Sequence, residues 1–412
     1  MTRSHQLLFA LFVIAFCPFA ASAQVQTGTP PFGSYGGGPD IINLGNLNAH
    51  LDAPVFARAG RGGFNFTYDL SYDSSVWYPV GASGNQTWQP VANWGWRGQT
   101  EVALGYVSYT VTQSPTCYVS GQYNGILYNY SNWIYHDNFG VPHWFSGGTN
   151  VVQPTGQYCT GYFSSMTATT SDGSGWTLSA TGSTANSVTS SAGKVIHPPV
   201  NIGTGAGTAT DRNGNQISVN SSGVFTDTLG TTALTVSGSG TPSSAMTFTY
   251  TAPGSGGTGV SASYTMSYVA YTVATNFAVS GIHEQGAIVV NLVDRIILPD
   301  TSFYQFSYEQ TPSTPMSGAC SPESGTYQNY CVTARITKVT LPTGGYVSYS
   351  YTGGAGTNNS GIFSDGSAAT MTRTVNDNTT SNIWTYAQTK GTGAASTTLI
   401  TDPKGRKATR PT

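Results

Sequence analysis

The stretch Gly60-Arg61-Gly62-Gly63-Phe64-Asn65-Phe66-Thr67-Tyr68-Asp69-Leu70-Ser71-Tyr72-Asp73-Ser74 decides the fold class. Its apolar residues at 64, 66, 68, 70 and 72 alternate strictly with polar ones, the two-residue period of a strand with one buried and one wet face. A helix would scatter those five side chains around its axis. Glycines at 60, 62 and 63 let the chain turn sharply into the strand, and Asp73-Ser74-Ser75 gives it a turn-type exit. The expected fold is therefore all-β.

Working outward, the first residues carry Arg3, an apolar run from Leu7 to Phe16, and Ala21-Ser22-Ala23 before Gln24. A short apolar stretch closed by a small-x-small site reads as a secretory signal peptide over residues 1–23, cleaved after Ala23. The run is too short to span a bilayer, and no later stretch is long and apolar enough to do so as a helix. Cys17 lies inside the run and precedes proline, which is not a lipoprotein context. Export implies a secreted or cell-surface protein. It leaves Cys117, Cys159, Cys320 and Cys331, without the close Cys-x-x-Cys pairs of a metal cluster. Four cysteines allow three connectivities. Because they fall into two separate regions, the expected pairs are 117 with 159 and 320 with 331; the alternative is four buried thiols.

Only 8% of the chain is charged, while 12% is aromatic, with Gly 51 and Tyr 25. Disorder wants few aromatic and β-branched residues, so this composition can bury a core. The formal charge is −2, or −3 once Arg3 leaves with the signal, and no basic run exists to neutralise phosphates. Nucleic acid is thereby disfavoured as a partner.

Three regions follow the signal. Residues 24–163 are aromatic-rich, holding Trp77, Trp88, Trp94, Trp96, Trp133 and Trp144. Residues 164–286 turn to Gly, Ser, Thr and Ala, with alternating pieces such as Met246–Tyr250 and Tyr264–Tyr268 that read as strands rather than a flexible linker. Residues 287–412 contain an internal repeat: Val293–Tyr308 aligns with Ile336–Tyr351 at an offset of 43 residues. Both copies read as strand, Leu-Pro turn, strand, with Tyr304, Phe306 and Tyr308 matching Val347, Tyr349 and Tyr351. A hairpin with one apolar face is not stable alone, and its natural use is stacking. Asp-x-x-Gly recurs at Asp137, Asp172, Asp211, Asp227 and Asp402. Aspartate first and glycine fourth is the preference of a type I turn, so these are expected hairpin corners.

The opening block, with Asn43-Leu44-Gly45-Asn46-Leu47 and Asp52 upstream, resembles the start of secreted RHS/YD-repeat proteins. Asp402-Pro403-Lys404-Gly405-Arg406 is similar to the Asp-Pro-x-Gly-Arg turn of their arrays, and Asp211-Arg212-Asn213-Gly214-Asn215 to its Gly-Asn variant. Ala59 stands where the family has proline, and Asp73 where it has asparagine. The likeness covers roughly residues 40–80 and 290–406, thins between 165 and 290, and is absent from 85 to 163. It implies antiparallel β-hairpin repeats forming a sheet or partial shell. Such shells can enclose a C-terminal cargo, often a toxin, and are implicated in carbohydrate binding and cell-surface contact. With few repeats and no recognisable core or cargo segment, the chain reads as the amino-terminal portion of a larger repeat protein, or a truncated relative.

Catalytic signatures are absent. His136, Asp137 and His143 match no catalytic zinc spacing and flank a turn, so no metal site is expected. A glycosidase needs two carboxyl groups facing one cleft; Glu101 and Glu284 are the least explained acids, and nothing pairs them. No Gly-x-Ser-x-Gly elbow appears, and Gly203-Thr204-Gly205-Ala206-Gly207 has no following helix for a phosphate loop. Neither enzyme activity nor a cofactor is expected. Trp88, Trp94, Trp96, Trp133, Tyr135 and Trp144 lie in a turn-rich context where flat rings could stack on sugars; the competing reading is core. The expected function is a non-catalytic extracellular scaffold and binding module for carbohydrate or a cell-surface protein. The alternative is a secreted carbohydrate-active enzyme or lectin-like protein.

Overall fold

The computed structural model describes residues 34–36, 40–91, 93–312, 330–362, 368–390 and 396–411. The signal peptide expected over 1–23 and Cys320 lie outside the described residues. The fold is nearly all β, in antiparallel sheets. Among the described residues no helix is long and apolar enough to cross a membrane.

The opening stretch forms strand Phe66–Asp73, with a 3-10 turn at Arg61–Gly63 before it. Phe66, Tyr68, Leu70 and Tyr72 are all buried, each worth about 1.5–3 kcal/mol of transfer from water. The opposite face is not wet throughout. Ser71 and Asp73 are buried too, because Asn48, His50 and Arg97 cover that end of the strand. This strand pairs with Ala49–Arg58 and Trp96–Arg97 in a five-stranded N-terminal sheet.

From Ser165 to Pro411 the chain builds one 18-stranded sheet in which strands follow one another almost wholly in sequence order. Among the described residues of this span, the one strand outside it, Ile282–His283, pairs with Asn85–Pro90 instead. The sheet runs unbroken across the composition change near residue 286, where Gly259–Val273 pairs with Ile288–Ile297. The Gly/Ser/Thr-rich region is part of it: Met246 sits opposite Met266 and Phe248 opposite Tyr264. The two repeat copies form matching hairpins. Thr301 N–H donates to Leu298 O in one and Gly344 N–H to Leu341 O in the other.

Four of the five Asp-x-x-Gly corners share one geometry. In the turns opened by Asp137, Asp211, Asp227 and Asp402, Oδ1 accepts from the backbone N–H groups two and four residues on. The glycine N–H donates back to the aspartate carbonyl, with glycine φ between 72° and 79°. A side chain is strained at that φ, which accounts for the glycine. The Asp172 corner differs: Oδ1 receives the Ser174 N–H and hydroxyl, and Oδ2 meets His143.

The N-terminal sheet packs on one face of the long sheet, and its contacts advance along it. Phe66 stacks on Phe225, Tyr68 meets Phe248, and Tyr72 OH donates to Ala334 O. Asp40 receives Tyr349 OH and the Arg373 guanidinium, and Leu44 O receives Gln388 and Thr398. A single apolar core joins both sheets.

A third sheet projects from this body. Strands Tyr106–Val119 and Gln122–His136 form a long hairpin, flanked by Pro142–Phe145, Thr149–Pro154 and Tyr162–Phe163. The Cys117–Cys159 disulfide clamps its tip. Cys331 is disulfide-bonded as well.

Candidate functional site

The six aromatic residues expected to stack on sugar separate into two groups. Trp88, Trp133 and Tyr135 are fully buried and cannot meet a ligand, which corrects the sequence expectation. Each has an interior partner: Trp88 packs edge-on against Phe277, Trp133 Nε1–H donates to Tyr130 O, and Tyr135 OH donates to Leu104 O. They occupy strand positions whose alternation faces the core. Trp144 is half-buried on strand Pro142–Phe145, opposite Ile134 and so on the other face of the sheet from Trp133 and Tyr135.

Trp94 and Trp96 are brought together. Positive φ at Asn93 and Gly95 folds this segment tightly before Trp96 joins the sheet opposite Tyr72. Trp94 rests near Trp77, and Trp96 packs against Tyr72 and Phe306. Together they line a cavity of about 260 Å³ with Tyr72, Tyr268, Tyr308 and Asn291. Asn291 is exposed and marks its mouth. Trp96 Nε1–H is buried with no hydrogen-bond partner among the described residues. Aromatic walls with a few polar groups are the usual make-up of a small-molecule site. Tyr268 and Tyr308 were not foreseen as site residues, although both sit in alternating runs.

Behind the Trp94–Gly95 segment a second, small cavity of about 20 Å³ is lined by Asp73, Arg97, Tyr106 and His136. Charged groups hold this support rigid. Arg97 donates to Asp73 Oδ2 at 2.6 Å, and His50 lies between Asp73 (3.0 Å) and Asp52 (3.1 Å). Burial disfavours the His50 charge, but the two carboxylates outweigh it and raise its pKa to about 9. Burial likewise opposes the Asp73 charge, and His50 and Arg97 reverse this, holding it well below the usual carboxylate range. His136, stacked on Tyr106, is driven down to about 3 by burial and then by Arg97 and His143, so it stays neutral.

His136 and His143 do not converge on a metal. His143 pairs with Tyr135 across the strands, which puts His136 on the other face. His143 instead contacts Asp172 at 2.7 Å and Asp137 at 3.4 Å. Among the described residues, no group of three or more His, Cys, Asp or Glu side chains is placed to hold a metal ion. Glu101 lies on the short helix Glu101–Leu104, where burial raises its carboxyl to about 7. Glu284 accepts the Ala278 N–H. Neither lines the aromatic cavity.

Fold and site together define an all-β protein in which a small N-terminal sheet braces a long antiparallel one and closes an aromatic cavity against it. No protein-family model matches the chain, and no curated protein matches it.

Proposed function

We propose that this chain is a non-catalytic, exported β-hairpin scaffold of the RHS/YD-repeat kind, acting as a binding module whose Trp94–Trp96 cavity takes a carbohydrate. The observation that carries the binding role is the cavity itself, walled by Trp94, Trp96, Tyr72, Tyr268 and Tyr308, with Asn291 at its mouth. Aromatic faces suit the C–H faces of sugar rings. The lining contains no carboxylate, which favours binding over glycoside cleavage, since cleavage needs two carboxyl groups across one cleft. The sequential hairpin sheet supports the scaffold role, and the Cys117–Cys159 disulfide fits an oxidising extracellular compartment. A protein partner on the cell surface is the alternative ligand class.

The test is a glycan array probed with the purified chain and with its Trp94→Ala and Asn291→Ala variants. Binding of a glycan by the parent, weakened about tenfold by Trp94→Ala with an unchanged circular dichroism spectrum, is expected from the loss of one stacking surface. Equal binding by all three proteins would exclude the cavity.

A further inference from the structure

Eight of the fourteen large apolar side chains that the described residues leave exposed lie between Val111 and Phe163, on the projecting sheet. Tyr118, Tyr123, Tyr158, Tyr162 and Phe163 lead them, from 53% to 70% exposed. Patches of this kind mark interaction surfaces. Tyr118 and Tyr123 sit directly opposite one another at the hairpin tip, their rings 4.9 Å apart. Cross-strand partners share a face, so the chain of partners Leu127–Val152–Tyr162 puts Tyr162 on the same face as that pair. Strand geometry separates Tyr123 from Tyr162 by roughly 16 Å, a span of several sugar rings. The platform is rigid. The disulfide ties the tip to the segment bearing Tyr158, and Gly125 gives it room: a Cβ there would lie 2.5 Å from Cys159 Sγ.

Charge identifies the occupant. From Tyr106 to Phe163 the sequence holds one charged residue, Asp137, and its carboxylate is engaged by its own turn and by His143. The polar groups on the face of Tyr118, Tyr123 and Tyr162 are neutral amides and hydroxyls, including Thr112, Ser114, Asn129 and Asn150. A surface without cations offers nothing to anionic lipid headgroups. Rigid tyrosines beside uncharged amides match a ligand that is itself uncharged and rich in hydroxyls.

We propose that one face of this sheet is a second binding surface, for a neutral polysaccharide chain, with Tyr118, Tyr123, Tyr158 and Tyr162 as its stacking platform; Phe163, paired with Val151, lies on the other face. It rests on the reading of the protein as a binding module and not on the Trp94–Trp96 cavity.

The test is affinity electrophoresis of the full chain through native gels cast with soluble glucan, xylan or galactomannan. The double variants Tyr118→Ser/Tyr123→Ser and Tyr158→Ser/Tyr162→Ser replace exposed side chains, and Trp94→Ala serves as the cavity control. Retardation in at least one gel, unaffected by added salt and about tenfold weaker in each double variant, is the expected result. Retardation in no gel, or equal retardation of the double variants, overturns the proposal. If Trp94→Ala alone abolishes retardation, binding belongs to the cavity and this surface is excluded. A dimer that either double variant dissociates would make the surface a self-interface and also overturn it.

Discussion

His50 carries a positive charge inside the protein, and the sign of its contribution to stability follows from its two carboxylate neighbours. Its folded pKa of about 9 exceeds the ordinary value of 6.5, so its stabilisation is complete below about pH 6.5 and is lost as pH rises through 9. Glu101, raised to about 7, loses stability over the lower window from its ordinary value of 4.5. His136, neutral when folded, costs stability only below about pH 6.5. His143, where Asp137 and Asp172 overcome the opposing effect of burial, is raised as well and acts in the same direction, so the His50 contribution is read as the difference between the parent and a His50→Gln variant. From pH 7 to 9 urea unfolding should lose about 2 kcal/mol through His50, and His50→Gln should reduce the slope; an unchanged slope in the variant would refute the charged assignment. None of this was legible from residue type alone, because His50, Asp52 and Asp73 belong to two strands whose pairing the sequence does not state. The aromatic residues were legible as a class but not one by one. Trp88, Trp133 and Tyr135 fell to the core because strand alternation turned them inward, whereas Trp94 and Trp96 are set by an irregular turn that has no period to read.

The long hairpin Tyr106–Val119/Gln122–His136 is anchored at its root and clamped at its tip. At the root Trp133 and Tyr135 are buried; at the tip the Cys117–Cys159 bridge closes a loop with a sequence separation of 42. On the loop-entropy estimate that bridge is worth about 4 kcal/mol. Cys117→Ser/Cys159→Ser should accordingly lower stability by up to about this amount. Hydrogen exchange should quicken around residues 112–126 while the amides of residues 133–136 keep their protection. Uniform loss across the long sheet as well would mean that the bridge stabilises the whole body instead. The hairpins were the most readable level of this protein. Period-two runs at Met246–Tyr250 and Tyr264–Tyr268 pair as strands, and the Leu-Pro copies at an offset of 43 close with the same hydrogen bonds, because turn chemistry and alternation are both local. The pairing of Cys117 with Cys159 followed from regional separation, which sufficed because each cysteine had one neighbour in its own region.

The placement of the N-terminal sheet across the long one had no sequence signature, since its contacts join residues far apart in the chain. Tyr72 reaches Ala334, Asp40 reaches Tyr349 and Arg373, and Leu44 reaches Gln388 and Thr398. These ties do different work from the apolar packing between them. The Asp40–Arg373 pair is buried, so it adds little net stability when intact but costs about 3–5 kcal/mol when one member is removed. It therefore penalises every arrangement in which the small sheet meets the wrong strand. Phe225, Phe248 and Met371, by contrast, are buried side chains of the long sheet within the core shared with the small one. One core with such ties implies one unfolding unit, despite a composition that changes twice along the chain. Guanidinium unfolding followed by tryptophan fluorescence and by far-ultraviolet circular dichroism should give coincident midpoints. Asp40→Ala should shift both together to lower denaturant, because Arg373 and Tyr349 lose the carboxylate that they share. Midpoints that separate in the parent protein, or a shift in one signal alone, would show that the long sheet stands without its brace and that the shared core is not the unit of stability.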